Sequence, residues 1–178
     1  RTSVNPFSVQ ELADALEGVD IPVIVKNPIN PDLSLWIGAL ERLNRAGITK
    51  LAAIHRGFSS FQKGPFRNDP MWEIPINLMR QMPDLPVFCD PSHICGNREL
   101  LPYVSQKALD LNMQGLMLES HPNPEVAWTD ASQQVTEQGL EKIIAGLSPR
   151  TNTSNDAQFE SHLEDLRQRI DELDKDLI

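Results

Sequence analysis

Cysteine is scarce: Cys89 and Cys95 are the two in 178 residues. Two thiols build no disulfide framework, and their rarity fits a reducing compartment, so a cytoplasmic location is expected. Long apolar runs are missing too. No stretch approaches the ~20 residues of a membrane-spanning helix, and no secretory signal opens the chain. Basic tracts are absent. Lys and Arg number 16 against 25 Asp and Glu, a formal charge of −9, which argues against nucleic acid or an anionic membrane as a partner. No Gly-rich phosphate turn follows an early strand, as a doubly wound nucleotide-binding sheet would require. No initiator Met stands at the start, and the last residues lie inside a helical pattern, so a fragment of a longer chain is expected.

What is present is a strand-then-helix rhythm. Hydrophobic residues make up 40%, enough to fill a core. Four short apolar runs read as strands: Ile21 to Lys26, Lys50 to His55, Pro86 to Asp90 and Gly115 to Glu119. They start 29, 36 and 29 residues apart, a spacing suited to βα units. Runs apolar on both faces fit a buried parallel sheet. Helices are expected between them. Ser8 to Leu16 opens with Ser8 and Glu11 in a capping-box pattern. Asn30-Pro31 reads as cap and first position of a helix carrying Leu33, Trp36, Ile37, Leu40 and Leu43 inward, with Gly47 beyond its end. Trp72 to Met82, Arg98 to Asn112 and Ser132 to Leu147 follow. The fold class expected is therefore α/β. Four βα repeats are half of a (β/α)8 TIM barrel, which needs ~250 residues. The other half is expected upstream of Arg1, and residues 1–147 would be the C-terminal half, roughly strands five to eight.

At Ser148 the character changes. Residues 148–156 are polar and rich in turn formers, a linker. In residues 157–178, Phe159, Leu163, Leu166, Ile170, Leu173 and Leu177 recur at spacings of three and four, an amphipathic helix. Residues 151–178 hold eight acids and three bases, a net of −5. This segment is expected to be the first helix of an all-α domain.

Ionisable residues collect where the strands end: Lys26, Arg56, Asp90 with His93, Glu119, and Asp130 a little beyond. In a barrel that is the face on which active sites are built. Lys26, Arg56 and Arg1 are fixed cations suited to phosphate and carboxylate, so a small polyanion is a plausible ligand. His93, Glu119 and Asp130 offer one nitrogen and two oxygen ligands, suited to Mn²⁺, Fe²⁺, Co²⁺ or Zn²⁺. Blander readings stand beside these. His93 alone is more often a hydrogen-bonded structural residue, Lys26 could simply meet solvent, and Asp130 could cap the last helix. Glu119 is harder to dismiss, since an acid ending a buried strand needs a partner. His55 and His121 could be supporting or ordinary polar contacts, and Cys89 a small core residue.

Several segments together resemble the DAHP synthases of type I. Arg1-Thr-Ser is similar to the end of their Gly-Ala-Arg-Thr segment, and Val25-Lys26-Asn27 to their strand-five lysine segment. Ile54-His55-Arg56-Gly57-Phe58 resembles the strand-six arginine motif. Asp90-Pro91-Ser92-His93 with Gly96-Asn97-Arg98 resembles the next. Gly115 to Glu119, His121 and Pro124, then Ala127 and Asp130, resemble the strand-eight metal motif. Phe66-Arg67-Asn68 resembles the short, Iβ-like branch and receives no role. The resemblance implies that Arg1, Lys26 and Arg56 hold phosphoenolpyruvate and that His93, Glu119 and Asp130 ligate a divalent metal, with Lys26, Arg56 and His93 central to catalysis. The family's fourth ligand, a cysteine on an early strand, has no match in Cys89 or Cys95, and its Lys-Pro-Arg-Thr segment is absent. The implied reaction joins phosphoenolpyruvate to erythrose 4-phosphate, the first step of the shikimate pathway. Leu166-Arg167-Gln-Arg-Ile170-Asp171 and Leu173-Asp174 resemble the opening of the all-helical chorismate mutases, in which the arginine matching Arg167 reaches the carboxylates of chorismate. A homodimer or higher homo-oligomer is expected, and the 178 residues alone are expected to be inactive. The rivals are a 3-deoxy-manno-octulosonate-8-phosphate synthase or sialic acid synthase relative and, from another class, a non-catalytic regulatory or assembly fragment.

Overall fold

The computed structural model describes residues 2–62, 64–150 and 156–175. It divides into two compact units, Arg1–Ser148 and Pro149–Ile178.

The first unit is built on four parallel strands: β1 (Val23–Lys26), β2 (Leu51–His55), β3 (Val87–Cys89) and β4 (Gly115–Leu116). Their spatial order follows the chain, β1-β2-β3-β4, with no reversal. A doubly wound sheet reverses its order at a switch point and carries helices on both faces. Neither feature is found among the described residues. Val25 lies beside Ala53 and Ala53 beside Val87, with Cys89 two residues further along β3 on the same face. Val25, Ala53 and Val87 join one core with α1 (Pro6–Ala15), α2 (Leu33–Arg45) and α3 (Glu73–Gln81). Cys89 joins a second with α4 (Pro91–Cys95), α5 (Leu101–Asp110) and α6 (Glu137–Ala145). Both cores therefore lie on one face of the sheet. On the opposite face, Ile24 is 46% exposed.

Local chemistry explains where the elements begin and end. In α2, Trp36, Ala39, Leu40 and Leu43 fall at helical spacing and are buried. Full burial of a side chain such as Leu40 is worth roughly 1.5–3 kcal/mol. The helix is capped by Asp32, whose carboxylate accepts from Leu35 N at 3.0 Å, not by Asn30. Likewise α1 begins at Pro6 under Asn5, which accepts from Phe7 N at 3.0 Å, so the Ser8–Glu11 pattern falls inside the helix. Three expectations about length need correction. β4 stops at Leu116 instead of Glu119, because the chain turns to other partners: Glu119 N donates to Ser92 Oγ at 2.9 Å, and Val135 N to Glu119 O at 3.1 Å. α6 starts at Glu137, not Ser132, with Thr136 Oγ1 accepting from Gly139 N at 3.2 Å. α5 starts at Leu101, not Arg98, after Asn97 Oδ1 accepts from Leu100 N at 3.2 Å. The short helix α4, directly after β3, was not expected.

The second unit contains α7 (Ala157–Lys175), which Asp156 opens by accepting from Gln158 N at 2.9 Å. Its apolar residues Phe159, Leu163, Leu166, Ile170 and Leu173 are exposed. Residues 151–155 of the expected linker and residues 176–178, Leu177 among them, lie outside the described residues. No helix among the described residues is long and apolar enough to cross a membrane.

Candidate active site

The C-terminal ends of the strands deliver their polar residues to one rim. Lys26 is the last residue of β1, Arg56 follows β2, Asp90 follows β3, and Glu119 lies three residues beyond β4. A cleft of about 420 Å³ opens there, lined by Lys26, Asn27, Arg56, Arg67, Asn68, His93 and Asp130 among others.

Asp90 is fully buried at the centre of this rim. Its Oδ2 accepts from Lys26 Nζ at 2.8 Å, and its Oδ1 accepts from His93 N at 3.1 Å, capping α4. Burial alone would raise its pKa. Its contacts with His93 and Lys26 outweigh that and hold it below the ordinary carboxylate value. The charged carboxylate thus anchors Lys26 and fixes where α4 carries His93.

His93, Glu119 and Asp130 each place one ligand-type atom within 4.8 Å of the others. His93 Nδ1 is buried and lies 2.9 Å from Asp90 Oδ2 and 3.7 Å from Glu119 Oε1, yet no group satisfies it in hydrogen-bonding geometry. Asp130 does not cap α6. It adopts a positive φ of 54° in the preceding loop, where Arg67 Nη1 donates to its Oδ1. That hydrogen bond, with burial opposing and the charge of Arg67 assisting, holds Asp130 below the ordinary carboxylate value. One imidazole and two carboxylates converging on a small space fit a borderline divalent cation.

The surrounding residues receive no role from the sequence, and Gln133 is not marked by any motif. Asn27 is buried and spans two strand ends, donating to Gly57 O at 2.9 Å and accepting from Arg56 N at 2.7 Å. Asn68 accepts from Arg56 Nη1 at 3.2 Å and donates to His93 O at 2.6 Å. Gln133, fully buried, donates to Glu119 Oε2 at 2.8 Å and accepts from Arg67 Nη1 at 2.9 Å. Arg98 fastens the loop that carries Asp130 through Ala131 O at 2.7 Å and Gln134 O at 2.6 Å. Two glycines admit the segment bearing Arg67 and Asn68. A Cβ on Gly57 would lie 2.8 Å from Asn68 O, and one on Gly96 2.5 Å from Arg67 Cβ. A signal for Arg67 and Asn68 existed in the sequence, but it was a likeness without a role.

Other candidates lie elsewhere. His55 is buried beside the rings of Phe58 and Trp72, with centroids 5.5 and 5.3 Å away. Burial pushes its pKa down to about 3 against the opposing pull of the Pro70 carbonyl, so it is a neutral core residue. His121 Nδ1 accepts from Asn123 N at 3.0 Å, a local turn contact. Burial raises the Cys89 thiol well above its ordinary value and the Cys95 thiol to about 12, which leaves both protonated. Arg167 belongs to the second unit, where its guanidinium lies 3.6 Å from Glu164 on the exposed surface of α7. Arg1 lies outside the described residues.

A one-sided parallel α/β sheet with its ionisable residues gathered at the strand C-termini defines the broad class, that of the α/β proteins whose sites are built at the carboxyl ends of strands. Residues 7–152 match the DAHP synthetase I family, and the chain belongs to that family. It is 28% identical over 123 residues to the phospho-2-dehydro-3-deoxyheptonate aldolase of Thermotoga maritima, covering 69% of this chain and 36% of that protein. It is 32% identical over 65 residues to the 2-dehydro-3-deoxyphosphooctonate aldolase of Dechloromonas aromatica, covering 36% of this chain and 23% of that one. The chain thus spans about a third or less of the length of these relatives. The fold is similar to that of a truncated 3-deoxy-D-arabino-heptulosonate 7-phosphate synthase from Thermotoga maritima, with a TM-score of 0.70 at 23% identity over 82% of this chain and 59% of that one.

Proposed function

We propose that residues 1–147 form the C-terminal half, strands five to eight, of a metal-dependent DAHP synthase barrel. The complete protein would condense phosphoenolpyruvate with erythrose 4-phosphate, giving DAHP and phosphate at the first step of the shikimate pathway in the cytoplasm. The observation that carries this reading is a single cleft. It gathers the cations Lys26 and Arg56 with His93 and Asp130, which in turn converge with Glu119, and buried Asp90 touches both Lys26 and His93.

In this reading Lys26 and Arg56, joined by Arg1, hold the phosphate and carboxylate of phosphoenolpyruvate. Arg56 supplies a planar fork held by Asn68, while Asn27 fixes its backbone N–H, and Lys26 a point charge oriented by Asp90. Their charges offset the repulsion between two phosphorylated anions and hold the reacting carbons together. C3 of phosphoenolpyruvate bonds to the aldehyde carbon, water adds at C2, and phosphate leaves. His93, Glu119 and Asp130 would hold Mn²⁺, Fe²⁺, Co²⁺ or Zn²⁺, which when bound supplies Lewis acidity at the aldehyde oxygen. The sheet face bearing exposed Ile24 would meet the other half of the barrel, so residues 1–178 expressed alone should self-associate and lack turnover. Residues 148–156 are the linker and 157–178 the first helix of a fused chorismate mutase, with Arg167 reaching chorismate. A homodimer or higher oligomer would share that helical domain.

The rival reading, a 3-deoxy-manno-octulosonate-8-phosphate synthase, is not favoured by the family match, and the short likeness to an octulosonate aldolase is what motivates testing it. Phosphate release by the full-length protein separates the two. We expect turnover of phosphoenolpyruvate with erythrose 4-phosphate and little with arabinose 5-phosphate. The reverse preference would overturn the assignment, and no turnover with either would favour a regulatory or assembly role.

A further inference from the structure

Arg67 sits where a cation is least expected. Its guanidinium adjoins Asp130, one of the two carboxylates offered to a divalent metal, and its positive charge weakens that carboxylate's pull on any second cation. A different role has to account for its position, and its hydrogen bonds indicate one. Arg67 Nη1 donates to Asp130 Oδ1 and to Gln133 Oε1, the latter at 2.9 Å. Gln133 in turn donates from Nε2 to Glu119 Oε2 at 2.8 Å. One guanidinium therefore ties down one oxygen of each acidic ligand, directly for Asp130 and through a buried amide for Glu119. The oxygens left over are Asp130 Oδ2 and Glu119 Oε1, and Glu119 Oε1 is the atom that faces His93 Nδ1 at 3.7 Å.

We propose that Arg67 and Gln133 are positioning residues that turn Asp130 and Glu119 to present one oxygen each to a divalent cation. The inference rests on the metal-site reading above. The surroundings support it. The amide orientation of Gln133 is dictated by its partners, since a donor must face Glu119 and an acceptor must face Arg67. Gly96 leaves room for the Arg67 side chain to lie against the backbone on its way to Asp130. Asp130 holds its positive φ with Arg67 as the side-chain partner of its carboxylate. Hydrogen-bonded partners that orient metal ligands in this way typically change metal affinity about 10–100-fold when removed.

Charge and orientation make opposite predictions, which makes the test decisive. Full-length protein stripped of metal is titrated with Mn²⁺ by calorimetry and with Co²⁺ by visible absorption, and circular dichroism verifies the fold of each variant. In Arg67→Met we expect Mn²⁺ affinity to fall about 10–100-fold and the Co²⁺ absorption to change. Arg67→Lys, which keeps the charge but can serve only one partner well, should recover part of the loss. Gln133→Met should lose about ten-fold, and the double variant should lose less than the two single losses combined, because both act on one network. A folded Arg67→Met that binds Mn²⁺ as tightly as or more tightly than the parent would overturn the inference, as would fully additive losses. If Arg67→Met does not fold, unchanged affinity in Arg67→Lys and Gln133→Met overturns it equally. The parent and His93→Ala separate this inference from the metal site itself. A parent that binds no Mn²⁺ removes both. A parent that binds, with His93→Ala that does not and Arg67→Met unchanged, removes the role of Arg67 alone.

Discussion

Lys26 Nζ lies 2.8 Å from Asp90 Oδ2, the same oxygen that His93 Nδ1 approaches to 2.9 Å. One buried carboxylate thereby links the cationic side of the cleft to the side bearing the metal-type ligands. Asp90→Asn keeps the shape and removes the charge. We expect kcat/KM for phosphate release to fall about 10–100-fold, with a stability loss of about 1–3 kcal/mol, as for an unmade hydrogen bond to a charged group. Steady-state kinetics and urea unfolding check both. An Asn variant with unchanged kcat/KM would mean that Asp90 does not orient the site.

His55 makes acid stability predictable. Its folded-state pKa is lowered by burial from 6.5 to about 3. Between those values the unfolded chain takes up a proton that the folded chain refuses. Stability contributed by the neutral ring is therefore whole above the unfolded value and is lost as pH falls through this window, by at most about 1.4 kcal/mol per pH unit. His55→Phe fills the same aromatic site without titrating. Urea midpoints at pH 7 and 4.5 should differ less in the variant than in the parent. An equal shift in both would show that other groups set the acid limit.

Gly96 has a φ of 67° and lies against Arg67. Gly96→Ala forces a Cβ into that contact and into a backbone region where alanine is strained, which should cost more than about 1 kcal/mol. The displaced Arg67 should also lower metal affinity. Thermal melting and Mn²⁺ titration report the two effects separately. A fully stable variant with parent affinity would contradict the close approach.

Arg167 lies on α7, whose apolar residues Phe159, Leu163, Leu166, Ile170 and Leu173 are exposed. A helix of this kind gains most of its stability from tertiary contacts, which a mutase domain would supply. Arg167→Ala in the full-length protein should abolish chorismate turnover and leave phosphate release unchanged. Full mutase turnover in the variant, or none in the parent, would remove the assignment.

The strands and the rim were legible in the sequence because they rest on strong, local patterns. Apolar runs such as Leu51–His55 end in polar residues, and the spacing between runs leaves room for one helix each. Helix starts were less legible because capping residues crowd together. Asn5 competes with Ser8, and Asp32 with Asn30, and only the fold selects between them. The end of β4 and the start of α6 were misjudged for a related reason. Glu119 and Val135 exchange sheet and helix bonds for contacts with each other, 16 residues apart in sequence. The roles of Arg67 and Gln133 could not be read locally at all. Arg67 meets Asp130 across 63 residues, and no periodicity in the chain encodes that pairing.

In the proposed function, His93, Glu119 and Asp130 would hold the divalent cation of a DAHP synthase. The most direct test measures metal content and phosphate release in the full-length protein, its His93→Ala and its Glu119→Gln variants. We expect one tightly held divalent ion per chain in the parent, loss of that ion in both variants, and a rate at least ~100-fold lower, within the range over which enzymes lose function when a site is dismantled. Variants that retain the metal and turn over at the parent rate would contradict the account.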